Sequence, residues 1–216
     1  MTMTTTTTDH PGDHGDPGGE NLFAGLPEQD PAAMGRLRER LARDAMHEGV
    51  LDVAYRVLDT PAGPLLLAAT EQGLVKVAYA VQDHQAVLRQ LAELISPRVL
   101  NAPGRLDEAA RQIDAYFAGR RKRFELPLDW RLSKGFRRDV LAHLPEIGYG
   151  RTESYAQVAV AAGSPRAVRA VGTACATNPL PLIVPCHRVV RSDGTPGRYA
   201  GGDAAKRLLL GLEAAA

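Results

Sequence analysis

Apolar positions change their spacing along the chain, and each change marks an element. Met34, Leu37 and Leu41 recur at helical spacing among Arg36, Arg38, Arg40 and Arg43, which predicts one amphipathic helix, docked on the body, over residues 30–47. From residue 53 the pattern becomes short apolar runs. Val53–Leu58, Pro64–Ala69 and Leu74–Tyr79 predict three strands of a meander, turned at Thr60-Pro61-Ala62-Gly63 and Gln72-Gly73. Helical periodicity returns over His84–Leu94 and Leu106–Phe117, and Phe124-Glu125-Leu126 reads as a short strand before Pro127. Strands followed by helices predict a small α+β domain over 50–128. It carries no catalytic pattern and reads as support.

A mainly helical region follows over 129–216, beginning with a helix at Gly135–Leu144. Ser154 is placed to cap a helix starting at Tyr155, and Gly163 suits the left-handed residue that ends it. Ser164-Pro165 then reads as cap and first residue of a helix over Pro165–Thr177. Helix, glycine-containing turn, helix is the helix-turn-helix arrangement, with Pro165–Thr177 as recognition helix. That helix is slim: Ala167, Ala170, Val171, Gly172 and Ala174 dominate, and Arg166 and Arg169 are its charges. It fits a narrow groove approached closely, or alternatively a core position.

The first 29 residues hold a threonine run and then Pro, Gly, Asp and His without periodicity. Disorder is expected there, so residues 1–49 read as a disordered tail plus the one amphipathic helix. His10 and His14 lack companion ligands, and no metal site is expected. With 44% hydrophobic and 24% charged residues in 216, the chain is of ordinary globular composition. No apolar run nears the ~20 residues of a membrane span, and Met1-Thr2-Met3-Thr4 lacks a signal-peptide pattern. Two cysteines are too few for a disulfide framework, so a cytoplasmic location is expected. Charge is unevenly spread: Arg120–Arg207 holds sixteen Lys and Arg against seven Asp and Glu, a net +9. That excess implies a polyanionic partner or a solvated arginine-rich surface.

Pro185-Cys186-His187-Arg188-Val189 puts a thiol beside an imidazole, behind Asn178-Pro179-Leu180-Pro181-Leu182-Ile183-Val184. A thiol attacks only as thiolate, and an adjacent base is the usual way to make one. In an extended segment neighbouring side chains point to opposite faces, so a bridging water and a carboxylate behind the imidazole would be needed. The alternative is an inert buried thiol.

Over Val53–Glu213 the chain resembles the methylated-DNA–protein-cysteine methyltransferases, the O6-alkylguanine-DNA alkyltransferases. Three motifs carry the resemblance in the family's order: Pro185–Val189, Asn178-Pro179-x-Pro181, and Gly197-x-Tyr199-x-Gly201-Gly202. It implies a ribonuclease-H-like α/β domain followed by a winged-helix-like helical domain. It further implies a single irreversible transfer of the alkyl group of O6-alkylguanine, with O4-alkylthymine a second candidate, onto Cys186. On that resemblance His187 is the base through water, Glu213 orients it, Tyr155 delivers a proton to the guanine, and Asn178 ties the Cys186 turn to the helix. Arg169 fills the stack left by the flipped nucleotide, and Ala167, Ala170 and Gly172, with Tyr155, meet DNA. Val189, Tyr199 and Ala200 line the base pocket, where Ala200 replaces a frequent serine. The implied partner is double-stranded DNA through the minor groove, bound by a monomer with no obligate protein partner, no membrane and no cofactor. The structural zinc of some members cannot be built, because no cysteine precedes Cys175. The rivals are a lesion-binding module, whose relatives lack the nucleophilic cysteine, and a regulatory DNA-binding protein, which would need a polar base-reading helix face.

Overall fold

The computed structural model describes residues 30–215; the expected tail, with His10 and His14, lies outside them. Helix α1 covers Pro31–His47. Within the compact unit Leu37–Ala216, Ala42 and Ala45 of α1 pack on Leu51, Ala54 and Ala102. Leu37 and Leu41 stay more than half exposed, so the helix docks by its alanines, whose small side chains let it approach closely, and not by the leucine stripe.

Strands β1 (Val53–Leu58), β2 (Leu65–Thr70) and β3 (Gly73–Tyr79) form the expected antiparallel meander. Helix α2 (His84–Leu94) follows, and then β4 (Val99–Asn101) adds in parallel beside β1, giving the order β3-β2-β1-β4. No strand was expected at 99–101, because three residues are too few to show an alternation. Every residue of β2 is buried, since side chains alternate between two covered faces. Leu66, Ala68, Val75 and Ala78 meet Val87 and Leu91 of α2. Leu65, Leu67, Val77 and Tyr79 face the other way, into a cluster that continues through Ile113 and Tyr116 to Val171, Cys186 and Leu209.

Helix α3 (Asp107–Phe117) leads to a correction: Phe124–Leu126 is not a strand. Gln112 of α3 occupies the backbone of Glu125 instead, its side-chain oxygen accepting from the amide at 2.8 Å and its Nε2 donating to the carbonyl at 3.0 Å. Pro127 has no amide to donate, so only a single parallel bridge, Leu74 to Leu128, joins this segment to β3.

Helix α4 (Phe136–His143) and the two-residue strand β5 (Glu153–Ser154) precede α5 (Tyr155–Ala161). Ser154 caps α5 as expected, in a reciprocal box with Gln157. Gly163 has φ 74°, and the bonds from Gly163 N to Val160 O and Ser164 N to Ala159 O close the helix in a Schellman motif. The next helix, α6, spans Val168–Ala176 and starts three residues later than expected. The Ser164 carbonyl accepts from Ala167 N at 2.9 Å, so Ser164-Pro165 opens a tight turn, where proline is equally at home. Strand β6 (Val189–Val190) pairs in parallel with β5, and α7 (Gly202–Ala214) closes the chain. Among the described residues no helix is long and apolar enough to cross a membrane.

Candidate active site

The turn after α6 contains two prolines without amide donors, and Asn178 compensates. Its Oδ1 accepts from Leu180 N at 2.9 Å, and its Nδ2 donates to the Val184 carbonyl at 2.9 Å and to Cys186 Sγ at 3.2 Å. Cys186–Arg188 then form a single 3-10 turn, not the extended segment considered above. Consecutive side chains there fan out by about 120°: the thiol turns to Asn178, while the imidazole and the guanidinium both reach Glu213.

Cys186 is 1% exposed. Burial pushes its thiol up to about 11, against the pull of the Asn178 hydrogen bond and the Lys206 ammonium, so the resting group is a protonated thiol that needs a base. His187 is fully buried, and its Nε2 lies 2.9 Å from Glu213 Oε1. Burial lowers the imidazole pKa despite the neighbouring carboxylate. Burial also opposes the Glu213 charge, but hydrogen bonds from His187 and Arg188 and the positive charge of Arg188 outweigh it and bring the carboxyl to about 2. A carboxylate can only accept, so the neutral imidazole carries its proton on Nε2. The Nδ1 lone pair is left with no protein partner among the described residues. Arg188 is fixed by Glu213 and by the Ile147 carbonyl, and Lys206 donates to the Val189 carbonyl at 2.6 Å. This is a thiol, a neutral base and a clamped orienting carboxylate, the parts of an activated nucleophile.

The match to known proteins spans both halves of the chain. Residues 53–130 match the ribonuclease-like domain of 6-O-methylguanine DNA methyltransferase, and residues 135–215 its DNA binding domain. The methylated-DNA–protein-cysteine methyltransferase of Methanosarcina barkeri is 40% identical over 159 residues, covering 74% of this chain and 96% of that protein. The chain belongs to the 6-O-methylguanine DNA methyltransferase family. The Mycobacterium tuberculosis methyltransferase is 39% identical over 161 residues, covering 74% of this chain and 92% of that protein. A crystal structure of the M. tuberculosis protein in complex with DNA superposes with TM-score 0.66 at 38% identity, over 75% of this chain and 93% of that one.

On this methyltransferase scaffold the pairing of β5 with β6 sets Tyr155 beside the segment that follows Cys186. Its phenol, raised to about 12 chiefly by burial, packs on Gly197 so closely that a Cβ there would lie 2.0 Å from the hydroxyl. Tyr155, Arg169, Gly172, Thr173, Ala176, Arg191, Gly197 and Arg198 line an open cleft of about 400 Å³ that includes no carboxylate. Ala170 is exposed on α6 outside that cleft, and Ala167 precedes the helix in a shallow depression with Ser164, Pro165 and Arg166. Val189 is buried in β6, Tyr199 is buried with its hydroxyl 2.9 Å from that of Tyr79, and Ala200 is half-buried. Among the described residues no group of three or more His, Cys, Asp or Glu could hold a metal ion. Sequence reasoning missed Arg188, Lys206, Tyr116, Arg191 and Arg198. Arg188 stands inside the Pro-Cys-His-Arg-Val motif and could have been found; the rest carry no local signal.

Proposed function

We propose that this chain repairs double-stranded DNA by transferring the alkyl group of O6-alkylguanine, with O4-alkylthymine a second candidate, to Cys186. His187 Nδ1 takes the thiol proton through a water. The sulfur attacks the alkyl carbon in line, an S–C bond forms as the C–O6 bond breaks, and the electron pair leaves with the guanine. Tyr155 protonates the departing base and recovers its proton from the imidazolium. The product is a thioether that no neighbouring group can cleave, so each molecule acts once, with no cofactor. Asn178 holds the sulfur, and Glu213 holds the imidazole.

A base in a duplex must be rotated out to be reached. Arg169 takes its place in the stack from the minor-groove side, where Ala167, Ala170 and Gly172 allow close approach, and Val189, Tyr199 and Ala200 receive the base. Arg191 and Arg198 neutralise phosphates, which makes binding salt-sensitive. Residues 129–216 bind DNA and react, residues 50–128 support them, and the protein works as a monomer in the cytoplasm.

The observation that carries this reading is the buried neutral His187, adjacent in the chain to the Cys186 thiol, with an Nδ1 lone pair that has no protein partner among the described residues. Intact mass after incubation with an oligonucleotide containing O6-methylguanine is the test. Wild type gains one methyl group and Cys186→Ala gains none. Binding without any gain in mass would make the chain a lesion-binding module instead.

A further inference from the structure

Glu213 is held by more than the turn it serves. Its Oε1 accepts from His187 Nε2 at 2.9 Å, from Arg188 Nη2 at 2.9 Å and Nε at 3.2 Å, and from the Tyr116 hydroxyl at 2.7 Å. Its Oε2 accepts from Arg188 Nε at 2.9 Å and Gly150 N at 3.1 Å. Tyr116 sits on α3, in the half of the chain that otherwise lacks chemistry. It is fully buried, with its ring among Phe117, Phe124 and Tyr149. An oxygen with two lone pairs and four donors divides its charge among them, so what Tyr116 takes is withheld from His187.

We infer that Tyr116 is a positioning residue of the alkyl-transfer site: its hydroxyl fills part of Glu213 Oε1, so that the carboxylate orients His187 without drawing a proton onto it. This rests on the alkyltransferase reading above. A base is useful only while neutral, and a bare carboxylate 2.9 Å away favours the imidazolium. The groups that face the pair are His187 and Arg188 on the Cys186 turn, Tyr149 on the loop before β5, Tyr199 on the loop before α7, and Lys206 on α7. Lys206 and Arg188 oppose protonation of His187, and Glu213 favours it. Tyr116 is an uncharged side-chain donor that tempers Glu213 at the oxygen His187 shares, and it makes the support half of the chain part of the relay.

The test is Tyr116→Phe, which removes one oxygen and keeps the ring packing. Two readouts are taken: the imidazole titration of His187 by NMR, and the pH dependence of single-turnover methyl transfer. The hydrogen bond removed is of a size that moves a neighbouring pKa by about one unit. The His187 midpoint is therefore expected to rise by about one pH unit, and the acid limb of the rate profile to move up with it. Tyr149→Phe is the control: it removes a hydroxyl from the same aromatic group, one that contacts the Leu212 carbonyl and not Glu213, so neither readout should move. If His187 titrates alike in Tyr116→Phe and wild type, or if Tyr149→Phe shifts it equally, Tyr116 is merely packing and the inference falls. The NMR titration does not depend on repair, so a wild type that never gains a methyl would overturn the alkyltransferase reading alone.

Discussion

The proposed nucleophile and its proposed base are kept apart in character by burial. Cys186 stays a thiol and His187 stays neutral because neither charge is welcome in the interior, while Glu213 keeps its charge because Arg188, Tyr116, His187 and Gly150 all donate to it. On the proposed mechanism, reaction begins with a proton transfer that the buried site must arrange, and geometry governs its rate. Gly197 shows how tightly. Because an added Cβ would overlap the Tyr155 hydroxyl and ring, Gly197→Ala is expected to displace the phenol and slow methyl transfer by about 100-fold, the usual cost of a misplacement near 1 Å. Single-turnover kinetics on folded protein would check this, and an unchanged rate would remove Tyr155 from the reaction. Cys186, His187 and Asn178 were legible as residues because they stand together in sequence. Tyr116 and Lys206 were not, because their partners lie 97 and 17 residues away, and nothing local marks them.

At the level of elements, capping chemistry was the most readable signal. Ser154 with Gln157 and the left-handed Gly163 mark the limits of α5 because they act within a few residues of the chain. Ser164-Pro165 misled because the same pair opens a helix or a tight turn, and the neighbouring backbone chose the turn. Phe124–Leu126 misled because its pairing partner proved to be the side chain of Gln112. On α6, Arg169, Gly172, Thr173 and Ala176 recur at helical spacing on the wall of the cleft, so one long cation projects from an otherwise low surface. Arg169→Ala is expected to slow repair of duplex DNA about tenfold, or about 1.4 kcal/mol, while reaction with free O6-benzylguanine hardly changes. Equal slowing of both substrates would rule out a role in the stack.

For the whole molecule, the relay is also a source of stability with a definite pH dependence. The Glu213 carboxyl is lowered from 4.5 to about 2, so its contribution, on the order of 3 kcal/mol, is complete above about 4.5 and is lost as pH falls from there through 2. His187 is also lowered, from 6.5. The unfolded chain then binds a proton that the folded one refuses, and stability declines as pH drops below 6.5. Both act in one direction: the melting temperature should fall steadily from pH 7 to pH 4, and His187→Gln should flatten the upper part of that fall. A melting temperature constant from pH 7 to pH 5 would show that His187 is not held neutral. By itself the sequence determined the elements whose signals are local, the Cys186-His187 pair with its asparagine turn, and the family motifs. Only the tertiary structure decided that Tyr116 and Glu213 meet, that both faces of β2 are covered, and that Arg191 and Arg198 join Arg169 at one cleft. The physical reason is range. Periodicity, capping and proline act over a few residues, whereas the charge state of a buried group depends on every donor that folding brings to it.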